Sequence, residues 1–99
     1  MIFLVATPTF ADLIEGDGNN NILHGTQGDD DMYGYAGSDA LYGHGGHDYM
    51  SGGLDGDSLY GGFGDDLMEG NEGNDTLFGD AGDDWLEGND GHDQLDGDN

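Results

Sequence analysis

The sequence predicts an all-β solenoid, on three observations. From residue 16 to residue 96 it repeats every nine residues through nine consecutive units, with no insertion or deletion. The eighth position of every unit is Leu or Met, centred in a triplet whose middle residue turns to one face and whose neighbours turn to the other. The first position is always glycine, and the fourth is glycine except at Asn19 and Asp55, so a tight loop precedes each triplet. A fixed short period marks a stack of units that bury their apolar faces only against one another.

Residues 1–11 lie outside the pattern. The apolar run 2–6 is short and lacks a basic leader, so it makes a poor signal peptide. The expectation is a small strand or plug that caps the first coil, since solenoid ends need covering. Pro8 ends any strand there or confines it to an edge. Residues 12–15 are half a unit, with Asp12 at the sixth position and Ile14 at the eighth. Nine full repeats fill 16–96, each a six-residue loop followed by a three-residue strand. Residues 97–99 begin a tenth unit with no distinct cap behind it, so a fragment or truncated array is expected.

Composition narrows the partners. The 99 residues, one domain by length, hold 23 Asp and Glu, no Lys or Arg, and a net charge of −23. Such a chain repels itself, and its low hydrophobicity would ordinarily mean disorder. Nucleic acid is excluded as a partner, no run is long enough for membrane insertion, and hard cations are favoured. There is no cysteine, hence no disulfide and no thiolate site. Ten inward apolar side chains are too few to offset the ordering of such a backbone, so a cation has to contribute.

The units read GDGNNNILH, GTQGDDDMY, GYAGSDALY, GHGGHDYMS, GGLDGDSLY, GGFGDDLME, GNEGNDTLF, GDAGDDWLE and GNDGHDQLD. Their sixth position is aspartate in all but the first, which has Asn21. With glycine at one and four and Leu or Met at eight, the pattern resembles the repeats-in-toxin (RTX) family, the haemolysin-type calcium-binding nonapeptide. The resemblance spans 16–96 and, more weakly, 12–99. It implies a right-handed parallel β-roll with two nonapeptides per coil, residues i and i+18 stacking about 4.8 Å apart. One inner wall is then Leu23, Leu41, Leu59, Leu77 and Leu95, and the other Ile14, Met32, Met50, Met68 and Leu86.

Calcium takes six to eight oxygens in tolerant geometry, which a carbonyl-lined loop with one carboxylate suits. The resemblance implies ions between loops 18 residues apart, bridged by the sixth-position side chains. One edge holds Asn21, Asp39, Asp57, Asp75 and Asp93, and the other Asp30, Asp48, Asp66 and Asp84. Carbonyls of the loop glycines complete the sphere: Gly25, Gly28, Gly34, Gly37, Gly43, Gly46, Gly52, Gly61, Gly64, Gly70, Gly73, Gly79 and Gly82. The pairing predicts about seven calcium ions, a weaker site at Asn21, and a weak eighth at Asp12 with Asp30. Asp55 puts loop 52–57 in question, yet aspartate tolerates the left-handed backbone and the loop is expected to survive.

Other features carry less. The fifth-position acids Asp29, Asp65 and Asp83 are expected to stay solvated or outside the ligand sphere. An EF-hand starting at Asp29 would place Ala40 where its bidentate Glu belongs. His44 and His47 are read as repeat filler rather than a zinc pair, and His24 and His92 have no partner visible in sequence. Outward ladders are expected at Tyr42, Tyr60 and Phe78 on one sheet and at Tyr49, Leu67 and Trp85 on the other. They either stabilise the sheets or, like the open coil ends, dock a neighbouring domain or a second roll. No catalytic constellation stands outside the lattice, so no enzyme activity is expected. The resemblance implies a calcium-binding structural module, secreted unfolded by a type I exporter and folding outside the cell. The alternative is an accessory module of a larger secreted enzyme or adhesin, binding polysaccharide or a partner.

Overall fold

The computed structural model describes residues 3–5 and 11–98. Among them there is no helix. Eleven strands make up the chain: β1 (Phe3–Val5), β2 (Leu13–Glu15), β3 (Ile22–His24), β4 (Asp31–Tyr35), β5 (Ala40–Tyr42), β6 (Tyr49–Gly53), β7 (Ser58–Phe63), β8 (Leu67–Glu72), β9 (Thr76–Ala81), β10 (Trp85–Asp90) and β11 (Gln94–Asp96). All but β1 carry the triplet around an eighth-position residue. In β4 and from β6 to β10 the strand runs on into the first residues of the following loop.

Alternate strands go to opposite sheets. The odd strands form one parallel sheet in the order β1-β3-β5-β7-β9-β11, and the even strands the other, β10-β8-β6-β4-β2. Strands two apart in sequence are therefore neighbours, as two nonapeptides per turn require. The register is the predicted one: Leu23 faces Leu41, which faces Leu59, then Leu77 and Leu95. On the other sheet Ile14 faces Met32, then Met50, Met68 and Leu86. β1 is offset by one, Leu4 lying beside Leu23, 19 positions on. The signal-peptide and Pro8 expectations fall on residues 2–6 and 8, of which 2, 6 and 8 lie outside the described residues.

The two walls meet in a single-file core of Ile14, Leu23, Met32, Leu41, Met50, Leu59, Met68 and Leu77. The last described coil is less covered than expected: Leu86 is only partly buried and Leu95 is 48% exposed, since among the described residues no further coil packs over them. The body is a slab of 33 × 30 × 13 Å.

Candidate metal centre

The loops line the two long edges of the slab. In them the sixth-position side chain turns inward: Asn21, Asp30, Asp39, Asp48, Asp57, Asp66 and Asp75 are all buried. One oxygen of each carboxylate is spoken for. Asp30 N–H donates to Asp48 Oδ1 at 2.8 Å, Asp48 N–H to Asp66 Oδ1, and Asp66 N–H to Asp84 Oδ1. On the opposite edge Asn21, Asp39, Asp57 and Asp75 donate in the same way to Asp39, Asp57, Asp75 and Asp93. Asp12 N–H caps Asp30 Oδ1 at 2.9 Å. Each aspartate thus braces the coil before it, which explains the strict 18-residue lattice of acids.

The second oxygen has no such partner. Oδ2 of Asp39, Asp48, Asp57, Asp66, Asp75 and Asp84 is buried without a hydrogen bond. Burial raises their pKa values, to about 6 in Asp39, about 8 in Asp48 and about 7 in Asp57 and Asp66. Amide donation opposes this, while neighbouring carboxylates reinforce it: Asp66 and Asp30 act on Asp48, Asp39 and Asp75 on Asp57. A buried carboxylate lone pair beside like charges, in a chain with no Lys or Arg, lacks a positive counterpart. A hard dication meets that need. Among the described residues no three His, Asp or Glu side chains converge on one point, so an ion here would draw largely on main-chain oxygens.

The glycines make room for this. A Cβ on Gly43 would stand 2.5 Å from Asp48 Oδ2 and 2.6 Å from the Gly61 carbonyl oxygen of the next coil. Gly25, Gly34 and Gly61 are likewise pressed between their own aspartate and the carbonyl of Gly43, Gly52 and Gly79. Gly52, Gly70 and Gly79 lie against Asp57, Asp75 and Asp84. Fourth-position glycines Gly37, Gly46, Gly64, Gly73 and Gly82 are left-handed, and a side chain on Gly64 (φ 109°) would strike the Gly46 carbonyl. Gly28 differs: its N–H donates to Thr26 Oγ1 at 2.9 Å. Asp55 stands in for glycine at φ 73°, and its Oδ2 accepts from Gly37 N–H at 3.1 Å.

The first two loops depart from the others in a way the sequence does not signal. From the third loop on, the second position is left-handed: Tyr35, His44, Gly53, Gly62, Asn71, Asp80 and Asn89 all have φ between 67° and 106°. Asp17 and Thr26 do not. There the loop amides turn onto the sixth residue: Thr26 N–H donates to Asp30 Oδ2 at 2.6 Å and Asp17 N–H to Asn21 Oδ1 at 2.8 Å. Thr26 Oγ1 adds a further bond to Asp30 at 3.0 Å. Asp30 therefore offers no unpartnered oxygen.

A second ladder, invisible to the motif, runs through the fifth position in the reverse direction. Asp29 Oδ1 accepts from His47 N–H, His47 Nδ1 from Asp65 N–H, and Asp65 Oδ1 from Asp83 N–H, all at 2.8–2.9 Å. Asn20 and Asn74 accept from Ser38 and His92 on the other edge. Asp29 and Asp65 thus clamp adjacent coils rather than merely facing solvent. The H-x-x-H pair does not converge: His47 stands in this ladder, while His44, at the second position, stacks on the sheet face.

On that face Tyr42 and Tyr60 stack at 4.8 Å and Tyr60 and Phe78 at 5.3 Å. The column starts one coil earlier than the expected ladder, with His24 stacked on Tyr42 at 4.9 Å, which corrects the view of His24 as partnerless. Position 24 plus 18 is 42, so the lattice alone would have found it. The other column keeps the register Tyr49, Leu67, Trp85 but has no ring stacking, because Leu67 separates the two rings. Tyr49 instead lies 5.6 Å from Tyr33 and donates to Glu69 at 2.5 Å.

Two parallel sheets joined by edge loops, six of those loops carrying an inward carboxylate short of a partner, define a cation-binding β-solenoid. The chain belongs to the RTX calcium-binding nonapeptide repeat family, whose model matches in four copies over residues 9–41, 24–59, 42–77 and 69–99. No curated protein and no solved structure matches it. The family repeat is a structural calcium-binding element rather than a catalytic one, and its members are typically secreted. Among the described residues no helix is long and apolar enough to cross a membrane.

Proposed function

We propose that this chain is a folding module driven by calcium, with ions held between successive loops on both edges. The observation that carries it is the row of six buried, unpartnered carboxylate oxygens in a chain of net charge −23. Asp39 with Asp57, Asp57 with Asp75, Asp48 with Asp66 and Asp66 with Asp84 each bring two free oxygens and form the four strongest of about seven positions. Asn21 with Asp39, Asp30 with Asp48 and Asp75 with Asp93 are weaker, since one partner of each is an amide, is already bonded, or sits in the open last coil. The glycine carbonyls of the same loops supply the remaining oxygens, and the bound ion supplies the charge neutralisation that burial denies.

Because no such site exists in an extended chain, binding energy is folding energy. Millimolar calcium outside a cell then condenses the roll, while scarce calcium inside leaves an extended polyanion suited to type I export. Circular dichroism titrated with calcium tests this. Equal β signal with and without the ion would overturn it.

A second reading is favoured by one observation. A shallow cavity of about 320 Å³ lies along the aromatic column between Tyr42, His44, Tyr60, Gly62, Phe63 and Asp80. The stacked tyrosines present only edges and hydroxyls, whereas Phe63 is 74% exposed. This is the place for a polysaccharide or partner contact by an accessory module of a larger secreted protein. Phe63→Ala should abolish polysaccharide retention and spare calcium uptake. Unchanged retention rejects this reading alone.

A further inference from the structure

We propose that the side chains of His24 and His44 form a second kind of metal site on the sheet face, for a first-row transition-metal dication such as nickel, copper or zinc. His24 ends β3 and His44 follows β5 by two residues, so adjacent coils of one sheet bring them together. His24 Nδ1 and His44 Nε2 stand 2.9 Å apart, their rings 17° from parallel and 5.1 Å between centroids. With metal–nitrogen bonds of about 2.0–2.1 Å, nitrogens at this spacing subtend roughly 90° at a shared ion. That is the cis angle of octahedral or tetragonal nickel(II) and copper(II). Tetrahedral zinc would need the rings to part by roughly 0.4 Å, which the exposed His44 side chain can supply. Without metal, one ring donates its N–H to the other; with metal, that ring carries its proton on its other nitrogen, the two rings turn so that both lone pairs point at the ion, and water fills the other positions.

Two features of the surroundings favour the site. His24 and His44 both stack with Tyr42, which itself stacks on Tyr60, so the rings are held in place by the sheet. The chain carries 23 acids and no Lys or Arg, and its field concentrates dications. Imidazole selects borderline transition metals, whereas calcium prefers the oxygens of the loops, so the two metals need not compete.

Nickel(II) titrated by calorimetry into the calcium-saturated chain at neutral pH is the test, excess calcium keeping the carboxylates occupied. One nickel per chain is expected, with uptake lost in His44→Ala and in His24→Phe, which keeps a ring in the stack, and unchanged in His92→Ala. NMR of the same sample should show paramagnetic broadening of the His24 and His44 ring signals but not that of His92. Uptake equal in parent and His44→Ala overturns the proposal, as does absence of uptake. Should His24→Phe fail to fold in calcium, His44→Ala and the selective broadening still decide. Broadening of all four histidines alike would also refute it, whatever becomes of calcium-driven folding.

Discussion

Loops 16–21 and 25–30 and the loops from residue 34 to residue 84 are written in the same nonapeptide yet fold differently. In the first pair the second residue keeps an ordinary backbone and its N–H closes on the sixth side chain, Thr26 on Asp30 and Asp17 on Asn21. In the others the second residue is left-handed, even where it is Tyr35 or His44, and the carboxylate keeps one free oxygen. Left-handed non-glycine residues cost on the order of 1–2 kcal/mol. The later loops bear that cost and leave a buried lone pair unmet, which makes sense if a cation is what they are built around. The difference teaches that the motif supplies the aspartate, while the hand of one neighbouring residue decides whether its second oxygen is open.

The largest expected effect comes from withdrawing calcium. Most of the β signal should go, and in a graded withdrawal the amides of residues 39–84 should lose exchange protection at higher calcium than those of residues 12–30. Simultaneous loss would break the comparison. Next, Asp57→Asn should lower calcium uptake by at least one ion per chain and weaken its neighbours on that edge, on the order of tenfold in affinity. Asp30→Asn should affect at most the one weak ion it shares with Asp48, leave its neighbours' affinities unchanged, and cost about 1–3 kcal/mol by breaking the Thr26 bond. Ion counting and chemical denaturation in calcium separate these outcomes.

Glycine substitutions sharpen the contrast on a smaller scale. Gly64→Ala sets a Cβ against the Gly46 carbonyl at a left-handed position, costing about 1–3 kcal/mol in thermal unfolding. Gly18→Ala, in the first loop, meets nothing within 4 Å and should change stability by at most about 0.5 kcal/mol. Acid offers the mildest probe. In the folded chain Asp39, Asp48, Asp57 and Asp66 have pKa values raised from 3.8 to between about 6 and about 8. Groups raised in this way favour the fold most below their unfolded value, and that contribution is lost as pH climbs through the folded values. Calcium-free protein should therefore show more β structure near pH 4 than near pH 8, and added calcium should restore it at pH 8. A calcium-free signal that grows with pH would contradict the burial of these carboxylates.

Much of this architecture could be read from the letters. A period of nine with a doubled period of 18 fixes which residue stacks on which, so the walls from Ile14 to Leu86 and from Leu23 to Leu95 needed no coordinates. The sixth-position aspartates were equally plain. What stayed hidden depends on backbone hand and on hydrogen bonds between non-identical residues. Nothing in the letters Asp17 or Thr26, against Tyr35 or His44, announces which is left-handed, since tyrosine has no intrinsic taste for that region. The fifth-position ladder escaped because Asp29, His47 and Asp65 share a role without sharing a side chain: each offers an acceptor to the amide above.

The 13 Å thickness of the slab has a consequence for how such an array grows. With one apolar residue per wall per turn, no side chain lies more than a single layer from water. Adding turns lengthens the object without giving it a deeper centre, so stability accumulates by nearest-neighbour increments. Length is then a free parameter: a longer array would be a taller stack of equally shallow floors, each fastened mainly to those directly above and below.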